Sequence, residues 1–201
     1  MKEEIDVNRL KAEFCEIYSQ NIHREGSKEL LDYLDKTDFY TCPASTKFHS
    51  NFSGGLLLHS LNVYKRFKEL LDNEYGANRE NVISDESIAI MSLLHDICKT
   101  NCYKVEYRNA KVDGEWIKQP YYAYNDELPY GHGEKSVYMI SAFMRLTREE
   151  AMGINWHMGG YDKRVVGGDM SIATAYYQYP TAVLLHIADV MATYLDEETQ
   201  K

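Results

Sequence analysis

Seven histidines are spread along the 201 residues: His23, His49, His59, His95, His132, His157 and His186. One of them is followed directly by an aspartate, His95-Asp96, inside the apolar run IAIMSLLHDICK. His59 sits in GGLLLHSLNV and Asp189 in AVLLHIADVMATYL, which are also apolar. A charged side chain in such a run is costly to bury unless it is paired or holds a metal. Three apolar segments, each with a metal-type ligand on or near its buried face, therefore point to a shared centre. His132, in GHGEKS, and His157, in NWHMGG, add two further imidazoles. Four imidazoles and two carboxylates suit Mn, Fe, Co, Ni or Zn, because Mg and Ca prefer oxygen ligands. One or two such ions lower the pKa of a bound water and clamp a phosphoryl oxygen, which is the chemistry of phosphate-ester hydrolysis. The residues alone leave two plainer readings open. His59, His95, Asp96 and Asp189 could form a buried polar network without metal. His132 and His157 could be loop histidines or could orient the ligands from behind.

The intervals between successive ligands, from His59 through His95, His132 and His157 to Asp189, run from 25 to 37 residues. Each is about one helix plus its connection, so each ligand comes from a different helix, as metal sites in helical bundles do. The hydrophobic period agrees almost everywhere. A first helix is expected over Asn8–Ile22, with Leu10, Phe14, Ile17 and Tyr18 on one face. Ser27 is expected to cap a short second helix that turns Leu30, Leu31 and Leu34 inward. A loop over 36–53 ends at Gly54-Gly55 and opens a long helix to about Asp72. Ser84 reads as the N-cap of a helix carrying Ile88, Met91, Ser92 and His95, with Asp85 and Glu86 in its first turn. Residues 103–124 alternate β-branched and aromatic side chains around Asp113-Gly114, a hairpin signal. Helix returns over Gly133–Leu146, and Thr147 with Glu150 forms a capping box for a helix running toward His157. Residues 158–170 read as a loop with four glycines, and 171–196 as helical with a break near Pro180. The expected fold class is all-α with a small β-hairpin insertion.

The order His59, His95-Asp96, Asp189 resembles the H…HD…D pattern of the HD superfamily of metal-dependent phosphohydrolases. GGLLLHSLNV is similar to the GGL-x-x-H-(S/T)-L motif of bacterial HD-domain hydrolases. LLHDICK is similar to their LHDIGK motif, with Cys98 where glycine is usual. The matching region runs from about Lys47 to Asp196. The resemblance implies a single HD-type helical bundle over 1–201, with N-terminal helices in 1–46 packing on a metal-binding core in 47–196. Two-metal members carry two extra histidines between the HD pair and the last aspartate, where His132 and His157 stand here. A dinuclear site is thus implied, with Asp96 bridging. His59, His95 and Asp189 would hold one ion, and His132 and His157 the other. Lys99 resembles the lysine after the HD pair in several bacterial members, and its implied role is to neutralise a substrate phosphate oxygen. Lys135, Lys163 and Arg164 are further candidates for that work. The implied activity is hydrolysis of a phosphate mono- or diester of a nucleotide, with Asp96 and Lys99 as catalytic residues. Two alternatives come with the resemblance: a nucleotide-binding HD module without turnover, and an HD-type diiron oxygenase.

Charge narrows the partners. Lys plus Arg is 22 and Asp plus Glu is 31, a net −9. That balance argues against long nucleic acid, which calls for a basic footprint, and permits a small anionic substrate whose counter-charge a metal supplies. The N-terminal MKEEIDVNRLK is acidic where a signal peptide is basic, and apolar runs are far shorter than a membrane span. The expectation is a cytoplasmic protein with no membrane partner; assembly into a homo-oligomer stays open. Cys15, Cys42, Cys98 and Cys102 are expected as reduced, packed thiols, and the C-x3-C spacing of the last two is not that of a zinc ribbon. His23 ends the first helix, where a cation suits the dipole. His186, three residues before Asp189, either orients it or simply packs. His49 either lines the pocket mouth or sits on the surface. Tyr121, Tyr122 and Tyr124 are placed to stack on a base, whereas Tyr176, Tyr177 and Tyr179 read as core and rim packing.

Overall fold

The structure is a computed structural model, and it describes residues 6–47, 50–112 and 114–197. It is mostly helical, with one two-stranded sheet. The helices are α1 (Val7–Asn21), α2 (Ser27–Leu34), α3 (Gly55–Tyr75), α4 (Arg79–Val82), α5 (Asp85–Leu93), α6 (His132–Ser141), α7 (Arg148–Trp156), α8 (Lys163–Val166), α9 (Ser171–Gln178) and α10 (Pro180–Met191). Between α5 and α6 lies the hairpin of β1 (Tyr103–Val112) and β2 (Glu115–Tyr124).

The apolar stripes decide the packing. The long helix α3 lies against both α5 and α10, and α7 joins α10 to α6. Leu57, Leu61, Ile88, Ile90, Leu185 and Ala188 are buried at these contacts. Each large aliphatic side chain so buried is worth about 1.5–3 kcal/mol, so these helices are held by ordinary core packing. The other end of the core is closed by α1 through Phe14 and Tyr18, with the Phe39 ring tilted and the Tyr40 ring edge-on against Phe14.

Two glycines set how closely the rim of the site approaches α3. Gly54 has φ +84°, and Gly55 lies against the Ser50 carbonyl, where any Cβ would collide. Ala44 N–H donates to that same carbonyl at 3.0 Å. Ala44 and Ser50 are thereby held against the start of α3.

Several boundaries differ from expectation. Ser27 does not cap α2; it is the first helical residue, and Gly26 at φ +85° precedes it because a side chain there would strike the Phe143 carbonyl. Helix α5, capped as expected by Ser84, stops at Leu93, so His95 and Asp96 lie just beyond it. Helix α6 starts at His132 and ends at Ser141, short of Leu146. The glycine-bearing stretch 158–170 is not all loop: it holds a tight turn over Gly159–Tyr161 and the short helix α8. The Thr147–Glu150 capping box forms with both of its hydrogen bonds, and Pro180 starts α10 at a position where its missing N–H costs nothing.

The hairpin pairs from Tyr103↔Tyr124 to Val112↔Glu115, with Gly114 at φ +91° in the turn. Asp113 lies outside the described residues, as does His49. The base of the hairpin is anchored on α6. Lys135 Nζ lies 2.5 Å from Asp126 and 3.2 Å from Cys102 Sγ, and Asn125 N–H donates to the Cys102 carbonyl at 2.8 Å. No described helix is long and apolar enough to cross a membrane.

Candidate metal centre

Five segments bring ligand-type side chains to one place. His59 comes from the second turn of α3, and His95 with Asp96 from the turn after α5. His132 opens α6, His157 closes α7, and Asp189 comes from α10. His59, His95, Asp96 and His157 are buried; His132 and Asp189 are partly exposed.

Helix ends aim two of these imidazoles. The last carbonyls of a helix lack intrahelical partners. His95 Nδ1–H donates to the Ser92 carbonyl at 2.7 Å, and His157 Nδ1–H donates to the Ile154 carbonyl at 2.6 Å. A carbonyl can only accept, so each bond fixes the ring with Nδ1 as a donor and leaves Nε2 pointing inward. At each helix end one imidazole thus satisfies a carbonyl that lacks a backbone donor.

Asp96 sits in the middle. Its Oδ1 lies 2.6 Å from His132 Nε2 and 3.4 Å from His157 Nε2. Its Oδ2 lies 3.5 Å from His59 Nε2, 3.6 Å from His95 Nε2 and 2.6 Å from Lys99 Nζ. His59 Nε2 is also 3.2 Å from both His95 Nε2 and Asp189 Oδ1. The donors form three groups, in each of which one ligand atom per residue lies within 4.8 Å of the others: His59 with His95 and Asp96, His95 with His157 and Asp189, and Asp96 with Cys98 and His132.

The titratable groups of the cluster are shifted in opposite directions. Burial pushes the Asp96 carboxyl up, but Lys99, His95 and His132 outweigh it and hold it well below the ordinary carboxylate range. Asp189 is held down in the same way by His59 against the pull of burial. Burial drives His95 down to about 3, so it is a neutral imidazole. Burial also opposes a charge on His59, yet Glu197 and Asp189 raise it to about 10. His59 thus holds a proton in a place where the surrounding carboxylates favour a cation.

The residues fit a metal ion. His157 Nε2 is buried and makes no hydrogen bond. It faces Asp96 Oδ1 at 3.4 Å, and a cation among these donors would give it a direct partner. The donor set of imidazoles and carboxylates matches the borderline transition metals.

A cavity of about 600 Å³ opens on this cluster, bordered by Asp96, His132, Asp189 and Lys99. Tyr103 and Tyr124 from the hairpin base and Tyr161 and Tyr194 also line it. Lys99 follows Asp96 in a tight turn rather than on a continuing helix, which is what brings its ammonium back onto the carboxylate. The other proposed cations lie elsewhere. Lys135 is buried in its pair with Asp126. Arg164 stacks 3.9 Å over the Trp156 ring and pairs with Asp162 at 2.7 Å and Glu134 at 3.0 Å. Lys163 is exposed at the start of α8. None of the three lines the cavity. His186 lines it and donates from Nδ1 to the His157 carbonyl at 2.7 Å, so it braces His157 rather than Asp189. Gly159, at φ +54°, lies against the His186 ring and leaves no room for a Cβ.

Two neighbours of the cluster were not legible in advance. Cys98 packs 3.5 Å from His132 Nδ1. Its only sequence signal is that it replaces the glycine expected after His95-Asp96-Ile97. Glu197 reaches His59 Nδ1 at 2.8 Å from the acidic DEE run beyond α10, which reads as a solvated end. A π-helical turn over Ala192–Asp196 widens the last turn and changes its phase, and no periodicity argument foresees that. In comparison with known proteins, the chain matches no family model, no curated protein and no solved structure.

Proposed function

We propose that the chain is a metal-dependent phosphohydrolase of the HD type that cleaves a phosphate mono- or diester of a nucleotide. The observation that carries this reading is the convergence of His59, His95, Asp96, His132, His157 and Asp189 from five segments beside an open cavity. Asp96 has the placement of a bridge: one oxygen faces His132 and His157, the other His59 and His95. Two divalent transition-metal ions would then divide the donors, with Asp189 joining His59 and His95. When bound, such ions supply Lewis acidity, lowering the pKa of water toward neutrality and neutralising charge on a phosphoryl oxygen.

The chain's own side chains do the rest. His95 and His157 present Nε2 atoms whose direction is set by main-chain carbonyls. Lys99 is the one lysine or arginine among the described residues lining the cavity, and the Asp96 carboxylate holds it firmly protonated despite burial. Its ammonium takes a non-bridging phosphate oxygen and neutralises the charge that grows there in the transition state. Tyr103 and Tyr124 border the same space with flat faces that accept a base, as aromatic side chains do in single-strand binding sites.

The test is paired. Wild-type protein is loaded with manganese, iron, cobalt, nickel or zinc and assayed on aryl phosphate mono- and diesters and on nucleotides, alongside Asp96→Ala. Wild type is expected to hold metal and to hydrolyse at least one ester, and Asp96→Ala to lose both. Metal binding without turnover of any phosphoester favours a binding module. Undiminished turnover by Asp96→Ala rejects the assignment.

A further inference from the structure

His59 has two ring nitrogens, and only Nε2 faces the cluster. Its Nδ1 lies 2.8 Å from Glu197 Oε1. The Glu197 side chain is fully buried. Its second oxygen accepts from Ser50 Oγ at 2.7 Å, and Asn62 Nδ2 donates to Oε1 at 3.4 Å. A carboxylate is costly to remove from water unless its partners make up for it, and these partners come from the rim loop and from α3. The contrast with the neighbouring rings is sharp. His95 and His157 give their Nδ1–H to neutral carbonyls, whereas His59 faces an anion.

The delivery of Glu197 is itself built. Arg66, two turns beyond His59 on α3, clamps Asp196 with Nε to Oδ2 at 2.8 Å and a terminal nitrogen to Oδ1 at 2.6 Å. A two-pronged guanidinium–carboxylate pair fixes direction as well as distance. The π-helical turn over Ala192–Asp196 is therefore pinned to the helix that carries His59, one residue before Glu197.

We propose that Glu197 is a positioning residue for the metal centre: it holds His59 in the tautomer that ligates through Nε2 and strengthens that nitrogen as a donor. The proposal rests on the metal-centre reading above. Outer carboxylates of this kind orient ligating imidazoles and raise their basicity, and their loss typically costs roughly 10–100-fold in metal affinity. The Arg66–Asp196 clamp makes the effect reachable from the surface, without touching a ligand or Glu197 itself.

Cobalt(II) titration of the apo-protein, followed by visible absorption, is the test. It compares wild type, Glu197→Gln, Glu197→Ala and Arg66→Ala, with circular dichroism on each. Both Glu197 variants are expected to bind cobalt roughly 10–100-fold more weakly than wild type. Arg66→Ala is expected to weaken binding by less, with an absorption band shifted in the same direction. Glu197→Gln keeps the shape and a hydrogen-bond acceptor, so wild-type affinity in that variant overturns the donor-strength claim. If Glu197→Ala does not fold, the Gln variant and Arg66→Ala decide the matter. A wild-type protein that gives no cobalt spectrum at all is a different result: it removes the metal centre on which the proposal stands.

Discussion

Lys99 and Asp96 face each other at 2.6 Å, and the pair borders the cavity. Asp96 is surrounded by imidazoles that can share its charge, so Lys99 is free to serve substrate once cations occupy the cluster. A charge-assisted hydrogen bond is worth about 1.5–3 kcal/mol, or roughly ten- to hundred-fold in kcat/KM. Lys99→Met is therefore expected to lower kcat/KM for an aryl phosphate by about that factor while metal content holds. Lys163→Glu, on an exposed residue outside the cavity, is expected to leave KM unchanged. Steady-state kinetics with metal analysis on each variant check both outcomes. A raised KM in the Lys163 variant would show that substrate extends over α8. The histidines and aspartates that converge were legible because such residues are out of place in runs such as IAIMSLLHDICK. The supporting side chains were not. Cys98 looks like ordinary core, and Glu197 looks like an ordinary acidic chain end.

At the scale of elements, the centre depends on where helices stop. The hydrophobic period located α3, α5, α7 and α10, and the capping signals at Ser84 and Thr147 marked two helix starts correctly. It did not show that α5 ends two residues before His95, because no Gly or Pro marks that stop and the Ser92 carbonyl there is met by the His95 imidazole. The elements are also tied by a partly buried ionic network. Arg24 bonds both oxygens of Glu150 at 2.8 Å and Glu86 at 3.1 Å, joining the segment before α2 to α5 and α7. The Glu150 side chain is fully buried, so removing its partner strands a charge. Arg24→Ala is expected to cost about 3 kcal/mol in urea unfolding, at the low end for broken buried pairs because Thr147 and Ser87 still bond Glu150. The network also sets an acid limit. Burial raises the Glu86 carboxyl, but the His23 and Arg24 N–H groups and the Arg24 guanidinium outweigh it and hold it below its ordinary 4.5. A depressed carboxylate contributes stability that is complete above its unfolded pKa and lost as pH falls through the folded one. Wild type should therefore lose stability below about pH 4.5 more steeply than Arg24→Ala. Parallel acid limbs in urea titrations of the two proteins would contradict this.

At the scale of the whole molecule, the centre joins α3, α5, α6, α7 and α10, so its occupancy should be read in global stability. A ligand at about one hundred times its Kd stabilises the folded state by about 2.7 kcal/mol. For a chain of this size that is about 5–10 °C in Tm. Zinc or manganese is expected to raise the melting temperature by that amount, chelator to reverse it, and Asp96→Ala to abolish it. The most direct measurement is a crystal of the metal-soaked protein with anomalous scattering collected at the metal edge. The expected result is at least one strong peak about 2.0–2.1 Å from His59 Nε2 and His95 Nε2, with an oxygen of Asp96 also coordinated. A second peak should fall beside His132 and His157. An ordered His59–His95–Asp96–Asp189 cluster with no anomalous density after saturating manganese, iron or zinc would contradict the account.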